Sequence, residues 1–375
     1  MKTIYLDYAS TTNIREEVFE AMLPYLKSEY GNPSSLYDLG ISNKKVLNNC
    51  RKQIASIINA KKEEIYFCSG GSEANNWAIK GVAFASNVKK EIITSKIEHH
   101  SVLNACHFLE KMGYKVHYLD VDNEGFINID SLKKAINENT LLVSVMMANN
   151  EIGTIQNIKE IGAICRSNKV LFHTDAIQAI SNIPIDVNEL NIDLMSVSAH
   201  KFYGPKGIGF LYIREKSEIE NLIHGGNQEK NKRAGTENVA YIVGMTMALE
   251  LSVKDRDNDI KKEREFSQIL LSKLQRIIPN MRLNGPEIGE RRLPGNLNLS
   301  FKGLDGSLLS YELSKAGICV STGSACNSSS IEPSHVLQAI KVPKEYINGT
   351  IRITLGKYTT LEDINTVVNI IKEKI

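Results

Sequence analysis

The chain lacks a hydrophobic run long enough to cross a bilayer, a block of like charge, and any Cys-x-x-Cys pair. The longest apolar stretch, Leu141 to Ala148, is far shorter than the roughly 20 residues a spanning helix needs. No membrane partner is therefore expected. Lysine and arginine nearly balance aspartate and glutamate, leaving a net charge of +2. Nucleic-acid binding, which needs a clustered basic surface, is not expected either. The N-terminus, Met1 to Asp7, has neither the apolar core of a signal peptide nor an arginine-rich transit segment. A cytoplasmic location is the expectation. Without paired cysteines, a zinc site or a redox dithiol is disfavoured. Cys50, Cys106 and Cys165 fall in helical patterns and read as packing thiols, while Cys68 ends a strand.

What is present is the alternation of an α/β protein. At 375 residues and 42% hydrophobic content, two domains are expected. Short apolar strands fall at 64–68, 91–95, 114–119, 141–147, 170–174, 193–197 and 208–213. Helices fill the gaps at 72–86, 101–112, 130–137 and 157–168, after earlier ones at 15–29 and 38–60. This rhythm predicts a mostly parallel, doubly wound sheet, which binds ligands beyond the C-terminal ends of its strands. A long helix, about 236–277, carries the chain into a smaller α+β part with strands at 296–301, 318–320 and 350–355. We expect a large domain over 15–259 and a small domain over 1–14 and 260–375.

The segment Ser196 to Phe210 concentrates the chemistry. An apolar strand runs into Ser198-Ala199-His200-Lys201, followed by Gly204-Pro205-Lys206-Gly207 and a second apolar strand. An unpaired ammonium between buried strands is costly. One remedy is covalent, because burial lowers a lysine pKa and frees the amine for a Schiff base with an aldehyde such as pyridoxal 5'-phosphate. Read alone, Lys201 is a surface residue in a glycine-proline loop. The Gly204 to Gly209 run is no phosphate loop, since it precedes a strand. Asp175 weighs against the plain reading. It ends an apolar strand 26 residues upstream, where a carboxylate can pair with the cofactor's pyridinium nitrogen.

Other strand ends carry further groups. Cys68-Ser69-Gly70-Gly71-Ser72-Glu73 is a strand, a glycine turn and a helix start, and so an anion site in form, although an ordinary capped turn has the same pattern. Glu98-His99-His100-Ser101 follows a strand. The vicinal histidines have no evident third metal ligand and read as a helix cap. Asn149-Asn150-Glu151 is a turn by itself. Arg352 lies inside the apolar strand 350–355 and needs either an internal carboxylate or the carboxylate of a ligand. Cys326 sits in a loop of glycine, alanine and serine, Ser321 to Ser330.

Together these motifs resemble the cysteine desulfurases of the NifS/IscS type, within the class V pyridoxal-phosphate-dependent aminotransferase family, over almost the whole chain. The resemblance implies the fold type I architecture of pyridoxal-phosphate transferases and a definite set of roles. Lys201 would carry the cofactor, and His99 would stack on its ring and act as an acid/base. Asp175 would pair with the ring nitrogen, and Asn150 and Gln178 would meet its phenolic oxygen, with Glu151 supporting Asn150. Gly71, Ser72, Ser198 and His200 would hold the phosphate. Thr236, in the Arg233 to Asn238 loop, would reach the phosphate of a neighbouring subunit, which implies a homodimer. Arg352 would hold the substrate carboxylate. Asn150, together with Asn32 of the Gly31-Asn32-Pro33 loop, would also face the substrate. Cys326, in Ser321 to Cys326 followed by Glu332-Pro333-Ser334-His335, would be the nucleophile of a long-loop desulfurase.

The reaction implied removes sulfur from L-cysteine, giving L-alanine and a persulfide on Cys326. Acceptors would be an iron–sulfur scaffold or a sulfur-carrier protein, with a cluster held transiently at Cys326 as another fate. An aminotransferase, a selenocysteine lyase and a cofactor-free scaffold on the same fold stand as rivals. Cys326 argues against the first, and the Lys201, Asp175 and His99 set against the last. One departure stands out: Asn227 occupies the place of a third glycine in Gly225-Gly226-Asn227, a substitution that positive φ would tolerate.

Overall fold

A computed structural model describes residues 3–322 and 333–375. Gly323 to Glu332, and with them Cys326, lie outside the described residues. The chain opens with β1 (Ile4–Tyr5), α1 (Glu16–Lys27) and α2 (Asp38–Ile57). Then β2 (Ile65–Cys68), α3 (Gly71–Ala85), β3 (Glu91–Ser95), α4 (His100–Lys111), β4 (Lys115–Leu119), α5 (Ile129–Ala135), β5 (Thr140–Ser144), α6 (Ile158–Ser167), β6 (Leu171–Asp175), β7 (Leu194–Ser198) and β8 (Gly209–Ile213) follow the expected alternation.

These strands form one seven-stranded sheet in the order β2-β8-β7-β6-β5-β3-β4. Only β8 runs against its neighbours. The other pairings are parallel. The C-terminal ends of β2, β3, β5, β6 and β7 therefore share one edge of the sheet. The chain reverses its direction of travel across the sheet between β3 and β5, the position at which open α/β sheets bind ligands. The strands are apolar because helices cover both faces, and β7 and β8 are buried along their whole length. His173 is a fully buried imidazole inside the sheet. Its ring sits between Ser144 Oγ at 2.8 Å and Ser196 Oγ at 2.9 Å, and burial pushes its pKa down to about 3.

Past α7 (Gln228–Asn231) comes the 39-residue α8 (Val239–Ile277). Its first part packs Ile242, Met245 and Leu249 into the large core, and its last part packs Leu270, Leu271 and Leu274 into a second core. The remaining elements are β9 (Met281–Leu283), β10 (Asn296–Phe301), α9 (Gly306–Lys315), β11 (Ile318–Cys319), α10 (His335–Ala339), α11 (Lys344–Ile347), β12 (Thr350–Thr354) and α12 (Leu361–Lys374), and the second core is built on all of these but α10 and α11. Strand β10 lies between β12 and β9, all antiparallel. The N-terminal β1 crosses over to pair with β11, so Ile4 and Leu6 join this second core. Val336 and Leu337 of α10, with Ile340 at its C-cap, pack with the large core.

The loop expectation at Asn227 needs correction. Asn227 takes φ −86°, and the left-handed residues are Glu229, Lys230 and Asn231, at φ 47°, 57° and 64°. The strain is offset by anchoring. The buried Glu229 carboxylate accepts from Arg51 and from the backbone N–H of Phe67, the latter at 2.8 Å. The three cysteines expected to be packing thiols, Cys50, Cys106 and Cys165, are buried, and so is Cys68 at the end of β2. Burial raises all four pKa values, to about 12 for Cys68, Cys106 and Cys165.

One close approach shapes the sheet edge. Gly70 adopts φ 144°, which side chains disfavour, and β8 passes against it at Gly209. A Cβ on Gly209 would press into the carbonyl oxygen of Val197 and lie 2.9 Å from Cα of Gly70. Overpacking against backbone costs about 1–3 kcal/mol. Gly209→Ala is therefore expected to lower the thermal midpoint measurably. Gly113→Ala, at φ 86° but with open space around it, should shift it less. Scanning calorimetry of both variants would check the order.

Candidate active site

A cavity of about 500 Å³ opens at the shared strand edge. Each strand end delivers its group because parallel strands present their C-termini on one side. Strand β2 and the turn after it bring Gly71 and Ser72 at the start of α3. Strand β3 brings Glu98 and His99, and β5 brings Asn150. Strand β6 brings Asp175 and Gln178, and β7 brings Ser198, His200 and Lys201. Arg352 enters from β12 of the second core. All of these line the cavity.

Asp175 is 4% exposed. Its Oδ2 accepts from Asn75 Nδ2 at 2.7 Å and its Oδ1 from the Ile177 N–H at 3.0 Å. Both donors are neutral, and burial raises the carboxyl pKa. The same Asn75 nitrogen donates to Ser101 Oγ at 2.9 Å, and Ser101 Oγ lies 2.8 Å from His99 Nδ1. The Ser101 N–H also donates to that Nδ1, at 3.1 Å. With two donors on Nδ1, the neutral ring carries its proton on Nε2. Burial, the largest effect, lowers the His99 pKa and keeps the ring neutral.

Lys201 Nζ donates to the carbonyls of Ala9 at 2.7 Å and Ser10 at 2.6 Å. Gln178 Nε2 donates to the same Ala9 carbonyl at 2.9 Å. The polar loop after β1 is thus a wall of the site, and its composition alone gave little sign of that. His200 Nδ1 meets Thr11 Oγ1 at 3.1 Å, and burial pushes the pKa down to about 4. Arg352 pairs through Nη2 with Asp7 Oδ1 at 2.7 Å and donates through Nη1 to the Asn150 carbonyl at 3.2 Å. Its Nε is buried without a hydrogen-bond partner among the described residues. The guanidinium therefore has an internal carboxylate and still borders the cavity.

Several placements differ from the expectations. Glu151 does not support the Asn150 side chain; its Oε2 accepts from Ser334 Oγ at 2.5 Å. Asn32 and Thr236 are exposed and do not line the cavity of their own chain. Asn32 Oδ1 caps its own turn through the Ser34 N–H at 2.9 Å. The wall formed by Ser334, His335 and Gln338 had no role in the sequence reading, although Ser334 and His335 stood in a matched motif. His100 joins it, with its ring centroid 4.7 Å from that of His335. Among the described residues no three of His, Cys, Asp and Glu are gathered as a metal site. No helix among them is long and apolar enough to cross a membrane.

The arrangement suits an aromatic cation with an aldehyde and an anionic tail. Asp175 is a buried carboxylate with only neutral hydrogen-bond donors, so a pyridinium N–H would supply the opposite charge it lacks. Lys201 supplies an amine. The start of α3, with the serines nearby, supplies anion-binding N–H groups.

Comparison with known proteins decides the relationship. Residues 4–367 match the model of the family described as aminotransferase class-V. A protein named cysteine desulfurase IscS from Dictyoglomus turgidum is 52% identical over 372 residues, 99% of this chain and 94% of the relative.

The chain belongs to the aminotransferase class-V family.

A relative of the same name from Methanosarcina thermophila is 50% identical over 99% of this chain and 92% of its own length. A solved structure described as a NifS-like protein superposes with a TM-score of 0.93 at 38% identity, covering 99% of both chains. Another, described as SspA in complex with cysteine, gives a TM-score of 0.83 at 37% identity over 96% of this chain and all of that one. The fold is the fold type I arrangement of this family, whose cofactor is pyridoxal phosphate.

Glu98 provides a titration test of the site's dry floor. Burial pushes its pKa up to about 8, against hydrogen bonds from Ser95 Oγ at 2.6 Å and the Met146 N–H at 3.0 Å. The folded chain thus keeps a proton that the unfolded chain releases near 4.5. The stability this contributes is fully present below that value and is lost as pH rises through about 8. In Glu98→Gln the group is permanently neutral. Melting curves should nearly coincide with wild type near pH ~5, and the variant should be the more stable one near pH ~9. Parallel melting curves across that range would contradict the assignment.

Proposed function

We propose that this protein is a cysteine desulfurase that uses pyridoxal phosphate to take sulfur from L-cysteine, releasing L-alanine. The observation that carries the reading is the single cavity in which Lys201, Asp175, His99 and Arg352 meet. The relatives' names supply the reaction. When bound, pyridoxal phosphate supplies an aldehyde to capture the substrate amine and a ring that draws electrons from its α-carbon.

The chain's own residues do the rest. Asp175 holds the ring's N–H, and the Asn75, Ser101 and His99 hydrogen bonds keep that carboxylate and the imidazole in register. His99 would hold the ring from the cavity wall. Asn150 and Gln178 face its phenolic oxygen. Gly71, Ser72, Ser198 and His200 hold the phosphate. Arg352 binds the substrate carboxylate through its cavity side while Asp7 keeps the guanidinium aimed. Lys201 would hold the cofactor and would move the proton at the substrate α-carbon.

Cys326 is the nucleophile in this reading. Its thiolate attacks the substrate sulfur, and an S–S bond forms as the C–S bond breaks. The bond's electron pair goes to carbon, which is then protonated. The persulfide passes to an iron–sulfur scaffold or a sulfur-carrier protein. A homodimer suits the exposed Thr236, which would complete the partner's phosphate site, and Asn32 would face the substrate. We assign residues 15–259 to a large domain and 1–14 with 260–375 to a small one. The separate core at Leu270 to Ile371 supports this division. The cytoplasm is the proposed location.

Two variants test the division of labour. Lys201→Ala should lose the visible cofactor absorbance and desulfurase turnover together. Cys326→Ala should keep the absorbance and respond spectrally to cysteine, while sulfide and alanine production falls about 10³-fold or more. Assaying alanine and sulfide together, with mass spectrometry to locate the persulfide, decides it. A persulfide on Cys319, or normal alanine release by Cys326→Ala, would refute the mechanism.

A further inference from the structure

A phosphate monoester carries close to two negative charges at neutral pH. The groove for it opens beside the main cavity as a second space of about 310 Å³, bordered by Ser69, Gly71, Ser72, Ser198 and Thr11. Three charged or titratable side chains also line it: Glu73, His200 and Lys206. Glu73 is already neutralised, because Arg233 grips it in a fork, Nε to Oε1 at 2.8 Å and Nη2 to Oε2 at 3.0 Å. His200 is neutral, since burial first, and then Lys201 and Lys206, push it down to about 4. Lys201 stands in the main cavity, bound to the Ala9 and Ser10 carbonyls, and is the amine that meets the aldehyde. The N-terminus of α3 offers roughly half a positive charge. Within one chain the phosphate therefore lacks a full counter-charge unless Lys206 provides it.

Lys206 is placed for that. It follows Pro205 and precedes Gly207, whose φ of 79° turns the chain along the groove wall. Among the described residues, no hydrogen bond or ion pair occupies its ammonium. We propose that Lys206 is the cationic anchor of the cofactor phosphate, and that it sets cofactor affinity rather than taking part in proton transfer. This rests on the pyridoxal phosphate reading above. Because the lysine is exposed, the attraction acts partly through solvent and weakens with salt.

The test titrates cofactor-free wild type, Lys206→Met and Lys206→Arg with pyridoxal phosphate and with pyridoxal, which lacks the phosphate, following absorbance at low and high ionic strength. Lys206→Met should bind pyridoxal phosphate about tenfold more weakly, the scale of one hydrogen bond to a charged group. It should bind pyridoxal as wild type does and show a shallower salt dependence. Lys206→Arg should recover most of the affinity. Should Lys206→Met fold poorly, Lys206→Gln serves the same comparison. Equal losses for both ligands would mean a structural role and overturn the proposal, as would a pyridoxal phosphate affinity within about twofold of wild type. Wild-type protein that binds neither ligand would instead overturn the cofactor reading itself.

Discussion

The structure turns on a buried carboxylate. Asp175 ends a strand in the middle of the sheet, where water cannot solvate it, and its two hydrogen-bond donors are neutral. Such a group is stable as an anion only if a cation faces it. The cavity in front of it, with Lys201 on one wall and His99 on another, is where that cation belongs. The requirement reaches outward. Asn75 must lie on α3 to donate, Ser101 must open α4 to link Asn75 to His99, and both helices are held by the glycine turn at Gly70 and by the cap at His99.

The second constraint is the seam between the two cores. Arg352 lies on a strand of the second core, yet its guanidinium reaches the Asn150 carbonyl at the end of β5. Asp7, after β1, fixes it from the other side. Along the same seam Asp255 of α8 accepts from Arg15 at 3.0 Å and from Lys357 at 2.8 Å. Helix α8 is one continuous helix that packs into both cores, so the core that carries Lys201 and the core that carries Arg352 are joined by it. That keeps two distant segments in register over a cavity to which neither contributes alone.

The phosphate groove illustrates a division between neutral and charged contacts. Its serines and backbone N–H groups give directional hydrogen bonds, and its histidine is kept uncharged by burial. On the proposed assignment the net positive charge falls to Lys206, because Arg233 is committed to Glu73. On that assignment, affinity for the anion and its placement would be set by different residues.

Much of this was legible in the chain. The period of apolar runs locates the strands and the helices between them, because sheet strands covered on both faces must be apolar throughout. The strand ends mark the chemistry, since Asp175, Lys201, His99 and Asn150 each follow such a run. Cys326 was legible only by its resemblance to a known loop. Other features depend on contacts between distant segments, which no local pattern encodes. The carbonyls of Ala9 and Ser10 hold Lys201 because β1 crosses to the second core. Ser334 takes the Glu151 carboxylate because α10 packs on the large core. The left-handed backbone falls at Glu229 to Asn231 rather than at Asn227, because the Arg51 ion pair offsets its strain. Local sequence determined the elements and their reactive ends, since periodicity and strand burial act over a few residues. Only the tertiary structure decided which neutral donors meet Asp175, which carboxylate meets Arg352 and which cation is left for the phosphate, because those pairings are settled by desolvation among residues far apart in the chain.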